Sequence, residues 1–309
     1  ILYHPPYISD SIKRPRLFRS LDENFHKQNF LITGQAAQGK STLVASYIQL
    51  LQQAVLWFHI NQDDNDHTKV FDRLVKGILE IEGPNQKKTE AFFPSGTLGT
   101  EKGLLRHVEG LSTLLQELVS PLIIVLDDVE SIDEASSGFL LVKGILTKRY
   151  ENLKIFVLSR KIPEFNISKL KMEHNIFMLN NDDLAFTLDE TISYFKGKVP
   201  ASASDIERIH KITDGWAGGL TLISESMRQF KDIKHLPDRL SLDVFDFFSQ
   251  EIYQTLPAAI REFLINTSVL DTIDLEMVDA VFEFPEALQI LSELEKRNLF
   301  IQRIDSDTG

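Results

Sequence analysis

The sequence predicts an α/β domain built on a mainly parallel sheet, followed by two helical blocks. Three observations carry that reading. Over the first half, short β-rich apolar runs alternate with helical stretches, the signature of strands joined by helical crossovers. Past Leu179 the strand signals fade and helical patterns follow one another. A polar break at His235 to Asp238, with Pro237 inside it, separates a last block that begins at Ser241.

The candidate strands are Asn29 to Thr33, Val55 to Ile60, Leu122 to Asp127, Lys154 to Ser159 and Ile176 to Leu179. Each of the first four ends near polar residues, where an open α/β sheet places its ligand crevice. Between the second and third strands, Gly83 to Gly103 is polar and reads as a loop. Thr187 and Glu190 form a capping-box pair that starts a helix. Helical patterns follow at Ser204 to Thr213 and Ala217 to Phe230. Others lie around Val244 to Thr255, Ala258 to Thr267, Leu275 to Phe282 and Ala287 to Lys296, before the strand-like Leu299 to Ile304. Short helices closed by a hairpin strand suggest a winged helix. The blocks divide as 1–182, 183–238 and 239–309.

Composition narrows the function. The net charge is 33 − 45 = −12, which argues against a dominant nucleic-acid or anionic-membrane surface. The chain has no cysteine, so thiolate zinc sites, disulfides and a cysteine nucleophile are excluded. No apolar run approaches the ~20 residues that cross a bilayer, and no signal peptide opens the chain, so a cytoplasmic setting is expected. An isoleucine at position 1 and a turn-like end at Gly309 read as a piece of a longer protein.

Gly34-Gln35-Ala36-Ala37-Gln38-Gly39-Lys40-Ser41 fits G-x-x-x-x-G-K-[ST], and Thr42 follows. The two glycines let the backbone turn so that successive N–H groups face phosphate oxygens. Lys40 adds a point charge for the β- and γ-phosphates, and Ser41 offers a hydroxyl to Mg²⁺. The motif lies between a predicted strand and a helix, which aims its positive end at the same anion. Leu122 to Asp127 is an apolar strand that ends in two carboxylates, Asp127 and Asp128. Buried negative charge needs a cationic partner. Asp127 is assigned to Mg²⁺ through water, and Asp128 to the attacking water. Together these motifs predict a P-loop NTPase of the ASCE type, whose additional strand runs between the two motif-bearing strands. Lys154 to Ser159 is that strand, and Arg160 at its tip is the candidate for the γ-phosphate.

The ordered motifs resemble the STAND class of signal-transduction ATPases, most closely its MalT-type (LuxR-family) regulators. The resemblance rests on Pro5-Pro6, Arg14-Pro15-Arg16-Leu17, Asp182-Asp183-Leu184-Ala185-Phe186-Thr187 and Thr213-Asp214-Gly215-Trp216-Ala217-Gly218-Gly219-Leu220. It continues through Phe245-Asp246-Phe247-Phe248, Arg261-Glu262-Phe263-Leu264, Thr267-Ser268-Val269-Leu270 and Arg297-Asn298-Leu299-Phe300. It implies an ATP/ADP-binding domain, a helical lid and a winged helix, followed by a repeat-built sensor and often an effector. It also implies that ADP holds a closed monomer, while ATP plus an inducer opens it for self-association. Pro15 and Arg16 would lie beside the nucleotide, with Gly215, Trp216 and Ala217 as the lid's contribution. The chain has Ala217 where many STAND proteins have proline, and no winged-helix histidine is recognisable before Gly309.

Other stretches have plainer readings. Asp63-Asp64-Asn65-Asp66-His67 reads as capping for a helix near Thr68 and not as a metal cluster. Trp57 and Phe58 read as core. The block from Ser241 to Gly309 is acidic, so no nucleic-acid contact is expected from its winged helix. A housekeeping ATPase and a nucleotide-binding scaffold without turnover are the competing functions. The lid and winged-helix series speaks against the first, and the paired Asp127 and Asp128 against the second.

Overall fold

A computed structural model describes residues 5–6, 12–82, 101–230, 253–270, 272–273, 278, 281–282 and 284–296. It divides into two compact units, Ile1–Thr33 with Gly39–Leu184, and Gly34–Gln38 with Ala185–Gly309.

The first unit holds α1 (Pro15–Glu23), β1 (Asn29–Thr33), α2 (Lys40–Leu51), β2 (Ala54–His59), α3 (His67–Glu82), α4 (Glu101–Gln116) and β3 (Leu122–Asp127). After these come α5 (Ser137–Leu146), β4 (Leu153–Ser159), α6 (Ile167–Met172), β5 (Ile176–Leu179) and α7 (Asn181–Leu184). The sheet is parallel in the order β2-β3-β4-β1-β5. β4 therefore runs between β1 and β3, as the Lys154 to Ser159 reading requires.

The strands alternate between two apolar layers, because successive side chains leave opposite faces of a strand. Leu31, Leu56, Phe58, Ile124, Ile155 and Val157 pack with α3, α4 and α5. Phe30, Ile32, Trp57, Val125, Phe156 and Leu158 pack with α1 and α2 on the other side. Strands buried on both faces read as continuous apolar runs, which is why β1 and β3 stood out in the sequence. Within the second layer, Phe30 and Phe156 stack at 4.5 Å.

In the second unit, α8 (Leu188–Phe195), α9 (Ala203–Thr213) and α10 (Ala217–Phe230) form a helical block. The expected box at α8 is present: Thr187 Oγ1 accepts from the Glu190 N–H, and Glu190 accepts from the Thr187 N–H. α9 opens on a similar box of Ser202 and Asp205. Between α9 and α10, Gly215 takes φ +71°, and a Cβ there would lie 2.3 Å from the Phe186 carbonyl oxygen. Only glycine fits that turn. Farther along, α11 (Ala258–Thr267) and α12 (Ala287–Lys296) contribute to an apolar cluster of Leu256, Ile260, Phe263, Val278, Ala287, Ile290 and Leu294.

Some readings shift. α4 begins at Glu101, inside the stretch read as loop, and 83–100 lie outside the described residues. Tyr253–Thr255 is one 3-10 turn at the end of the helix expected from Val244, whose earlier residues are also outside the description. Most of Leu275 to Phe282 and all of Leu299 to Ile304 are likewise outside it.

Candidate nucleotide site

The loop after β1 turns tightly for local reasons. Gln38 N–H donates to the Gln35 carbonyl at 3.3 Å, and Ala37 and Gly39 take φ of +55° and +88°. Gly39 is the N-cap of α2 and its carbonyl accepts from the Leu43 N–H. Gly34–Gln38 groups with the second unit, while Gly39 onward, with Lys40, Ser41 and Thr42, groups with the first.

In the first unit, Lys40 is 8% exposed at the start of α2. Burial lowers its pKa, opposed mainly by Glu130 and also by Asp127 and Asp128, while Arg160 pushes it further down. The tip of β3 carries the acidic half. Asp127 is 2% exposed and splits its carboxylate between two sides. Its Oδ1 accepts from Ser41 Oγ at 3.1 Å and from the Asp128 N–H at 3.1 Å, while its Oδ2 accepts from Trp57 Nε1 at 3.2 Å. Burial and then the neighbouring Asp128 raise its pKa, against the Ser41 and Trp57 hydrogen bonds and His59. Asp128 is half-exposed, with a left-handed φ of 60°.

The expected Ser41–Asp127 pair is thus brought together. Its donors facing one another are oxygens, the chemistry a hard cation such as Mg²⁺ takes. The excess negative charge felt by buried Asp127 fits a cation as well.

Arg160 follows β4 as expected. Its guanidinium Nε pairs with Glu130 Oε1 at 3.1 Å, and its backbone N–H donates to Glu130 Oε2 at 3.0 Å. Pro15 and Arg16 open α1 and are exposed. The buried member of that segment is Arg14, whose Nη1 donates to the Leu184 carbonyl at 2.7 Å. In the second unit, Gly215 and Trp216 precede Ala217 at the start of α10. The Trp216 indole N–H donates to the Ala36 carbonyl at 3.0 Å, which ties the turn before α10 to the first half of the loop after β1.

Three residues here escaped sequence reasoning. Trp57 is core, as read, but its N–H also serves Asp127. Glu130 holds Arg160 from a 3-10 turn just after the strand. His59 stands opposite Asp127 because β2 and β3 pair in that register. Only strand register reveals the last of these.

Comparison with known proteins places two domains along the chain. Residues 16–142 match the AAA ATPase domain, and residues 249–309 match the MalT winged helix domain. The HTH-type transcriptional regulator MalT of Klebsiella pneumoniae strain 342 is 26% identical over 315 residues, covering 100% of this chain and 34% of the relative. The chain is similar to MalT-type regulators through its ATPase and winged-helix matches. A second strain of that organism gives MalT at 26% identity over the same shares. The chain thus spans about a third of the length of the curated relatives it matches.

Solved structures agree on the fold. A STAND protein with a tetratricopeptide repeat sensor from Pyrococcus horikoshii superposes with a TM-score of 0.55 at 19% identity, over 96% of this chain and 41% of that one. Cdc6p from Pyrobaculum aerophilum gives a TM-score of 0.50 at 14% identity, over 98% and 91%. The fold is thus that of P-loop ATPases, with a winged helix following. Among the described residues, no helix is long and apolar enough to cross a membrane.

Proposed function

We propose that this chain is the nucleotide-reading portion of a STAND switch that binds ATP and ADP, hydrolyses ATP slowly and self-associates in the ATP state. Its output is transcription control or another effector, carried by parts of a longer protein together with a sensor for an inducer. The observation that carries the reading is the meeting of Ser41 and Asp127 beside buried Lys40, after a loop of the phosphate-binding pattern.

The residues divide the work by their chemistry. Backbone N–H groups of Gly34 to Gly39 and the start of α2 hold phosphate oxygens. Lys40 adds a charge whose burial strengthens its pull on an anion. Ser41 and Asp127 would hold Mg²⁺, which when bound offsets charge on the β- and γ-phosphates. Asp128, half-exposed at the strand tip, orients the attacking water and accepts its proton. Arg160 discriminates ATP from ADP, since only ATP presents a γ-phosphate; a charge-assisted contact of ~1.5–3 kcal/mol suffices for a roughly ten- to hundredfold bias.

The test is a pair of measurements on Asp128→Ala. Calorimetry should give nucleotide affinity within about threefold of the parent, while phosphate release slows by roughly a hundredfold, the share of a positioned base. Equal turnover removes Asp128 from that role. No measurable turnover in the parent protein favours the scaffold reading instead.

A further inference from the structure

The carboxylate of Asp127 faces two ways, and the nucleotide reading uses only one. Its Oδ1 meets Ser41. Its Oδ2 turns toward the tip of β2, where His59 is its partner in the strand register. His59 Nδ1 lies 3.8 Å from Asp127 Oδ2 and 3.8 Å from Asp128 Oδ2. That is too long for a hydrogen bond. One ligand atom from each of the three residues lies within 4.8 Å of the other two. A triangle of that size leaves its centre roughly 2–2.5 Å from each corner, which is bonding distance for a small divalent ion.

We propose that His59, Asp127 and Asp128 form a second cation site beside the Ser41 side of Asp127, one that selects imidazole-preferring first-row divalent ions over Mg²⁺. The ligand set is the ground for the class of ion. Carboxylate oxygens alone suit Mg²⁺, whereas a ring nitrogen moves preference toward Zn²⁺, Co²⁺ and Ni²⁺. The surroundings are those of a held ligand set. Trp57 Nε1 donates to the same Asp127 Oδ2 at 3.2 Å and fixes its orientation. His59 and Asp128 are each 49% exposed, so an ion can enter and water can complete its shell. Asp127 and Asp128 also serve the nucleotide reading and His59 does not; the second site needs no nucleotide.

The test uses Co²⁺ as probe on nucleotide-free protein, read by its visible absorption. One Co²⁺ per chain should bind and resist a roughly hundredfold excess of Mg²⁺. His59→Ala should weaken Co²⁺ at least about tenfold while binding Mg·ATP like the parent. Equal Co²⁺ affinity in that variant, or ready displacement by Mg²⁺, overturns the proposal. Pulsed electron paramagnetic resonance of Cu²⁺, an imidazole-preferring ion, is an independent readout; a directly bound ring nitrogen that disappears in His59→Ala supports the site, and a spectrum unchanged by that substitution overturns it. Lys40→Ala separates the two claims, since it should lose nucleotide and keep Co²⁺. If that variant keeps its nucleotide affinity, the nucleotide reading falls and the cation result stands by itself.

Discussion

Two groups of titratable side chains are buried in the first unit, and they are set up in opposite ways. At the candidate site, Lys40 feels groups of both signs, Glu130, Arg160, Asp127 and Asp128, and Asp127 feels Asp128 and His59. Off the sheet, His67 on α3 and His107 on α4 lie with ring centroids 5.1 Å apart. His107 stacks on Phe71 at 4.2 Å, and His67 Nδ1 is 3.0 Å from Ser137 Oγ. His67 Nε2 and His107 Nδ1 are buried with no hydrogen-bond partner. Burial lowers both histidine pKa values; Asp66 opposes this at each, Asp72 also at His107, and His67 depresses His107 further.

The signs differ in a way that stability should register. For the histidines the folded pKa lies below the ordinary value of 6.5. Their contribution is full above about that pH and is lost as pH falls through the folded values. For Asp127 the folded pKa is raised, so its contribution is present at acid pH and lost as pH rises through the folded value. At neutral pH the carboxylate is therefore a cost to the free protein, which a cation offsets. Buried charge that awaits a partner belongs to a site, whereas like groups kept neutral belong to a core.

Substitutions can break that contrast, and the largest effect is expected at the strand tips. Arg160→Ala should weaken ATP roughly ten- to a hundredfold more than ADP and reduce ATP-driven self-association by light scattering. Equal loss for both nucleotides moves the discriminator elsewhere, with Arg16 the next residue to test. Trp57→Phe, at the same tips, acts on stability instead of nucleotide choice. It keeps the ring in the core but removes the donor to Asp127, costing about 1.5–3 kcal/mol in denaturant unfolding. No loss would mean that the indole N–H does not hold the carboxylate. Smallest is His107→Phe, which preserves the stack on Phe71. Melting temperatures at pH 7.5 and pH 5 should differ less in this variant than in the parent, with nucleotide affinity unchanged. An undiminished acid loss would exclude His107 as its source.

The same contrast explains what was legible in the sequence. β1 and β3 are apolar runs buried on both faces, so their limits are the limits of the run. The phosphate loop is contiguous and so readable as a string, and the Thr187–Glu190 box is local in the same sense. Partners set by strand register or tertiary packing leave no such trace. His59 meets Asp127 across two strands, Glu130 reaches Arg160 across thirty residues, and Trp216 reaches Ala36 across 180. The start of α4 at Glu101 was hidden by Gly103, a helix-weakening residue that is buried here inside the helix.

On the proposed function, the loop from Gly34 to Thr42 holds nucleotide phosphates through Lys40. Calorimetric titration of the parent and of Lys40→Ala with ATP in the presence of Mg²⁺ tests it most directly. Mg²⁺-dependent binding to the parent is expected, with an affinity at least about a hundredfold weaker in the variant, ~2.7 kcal/mol, and cooperative unfolding retained. Unchanged ATP affinity in folded Lys40→Ala would contradict it.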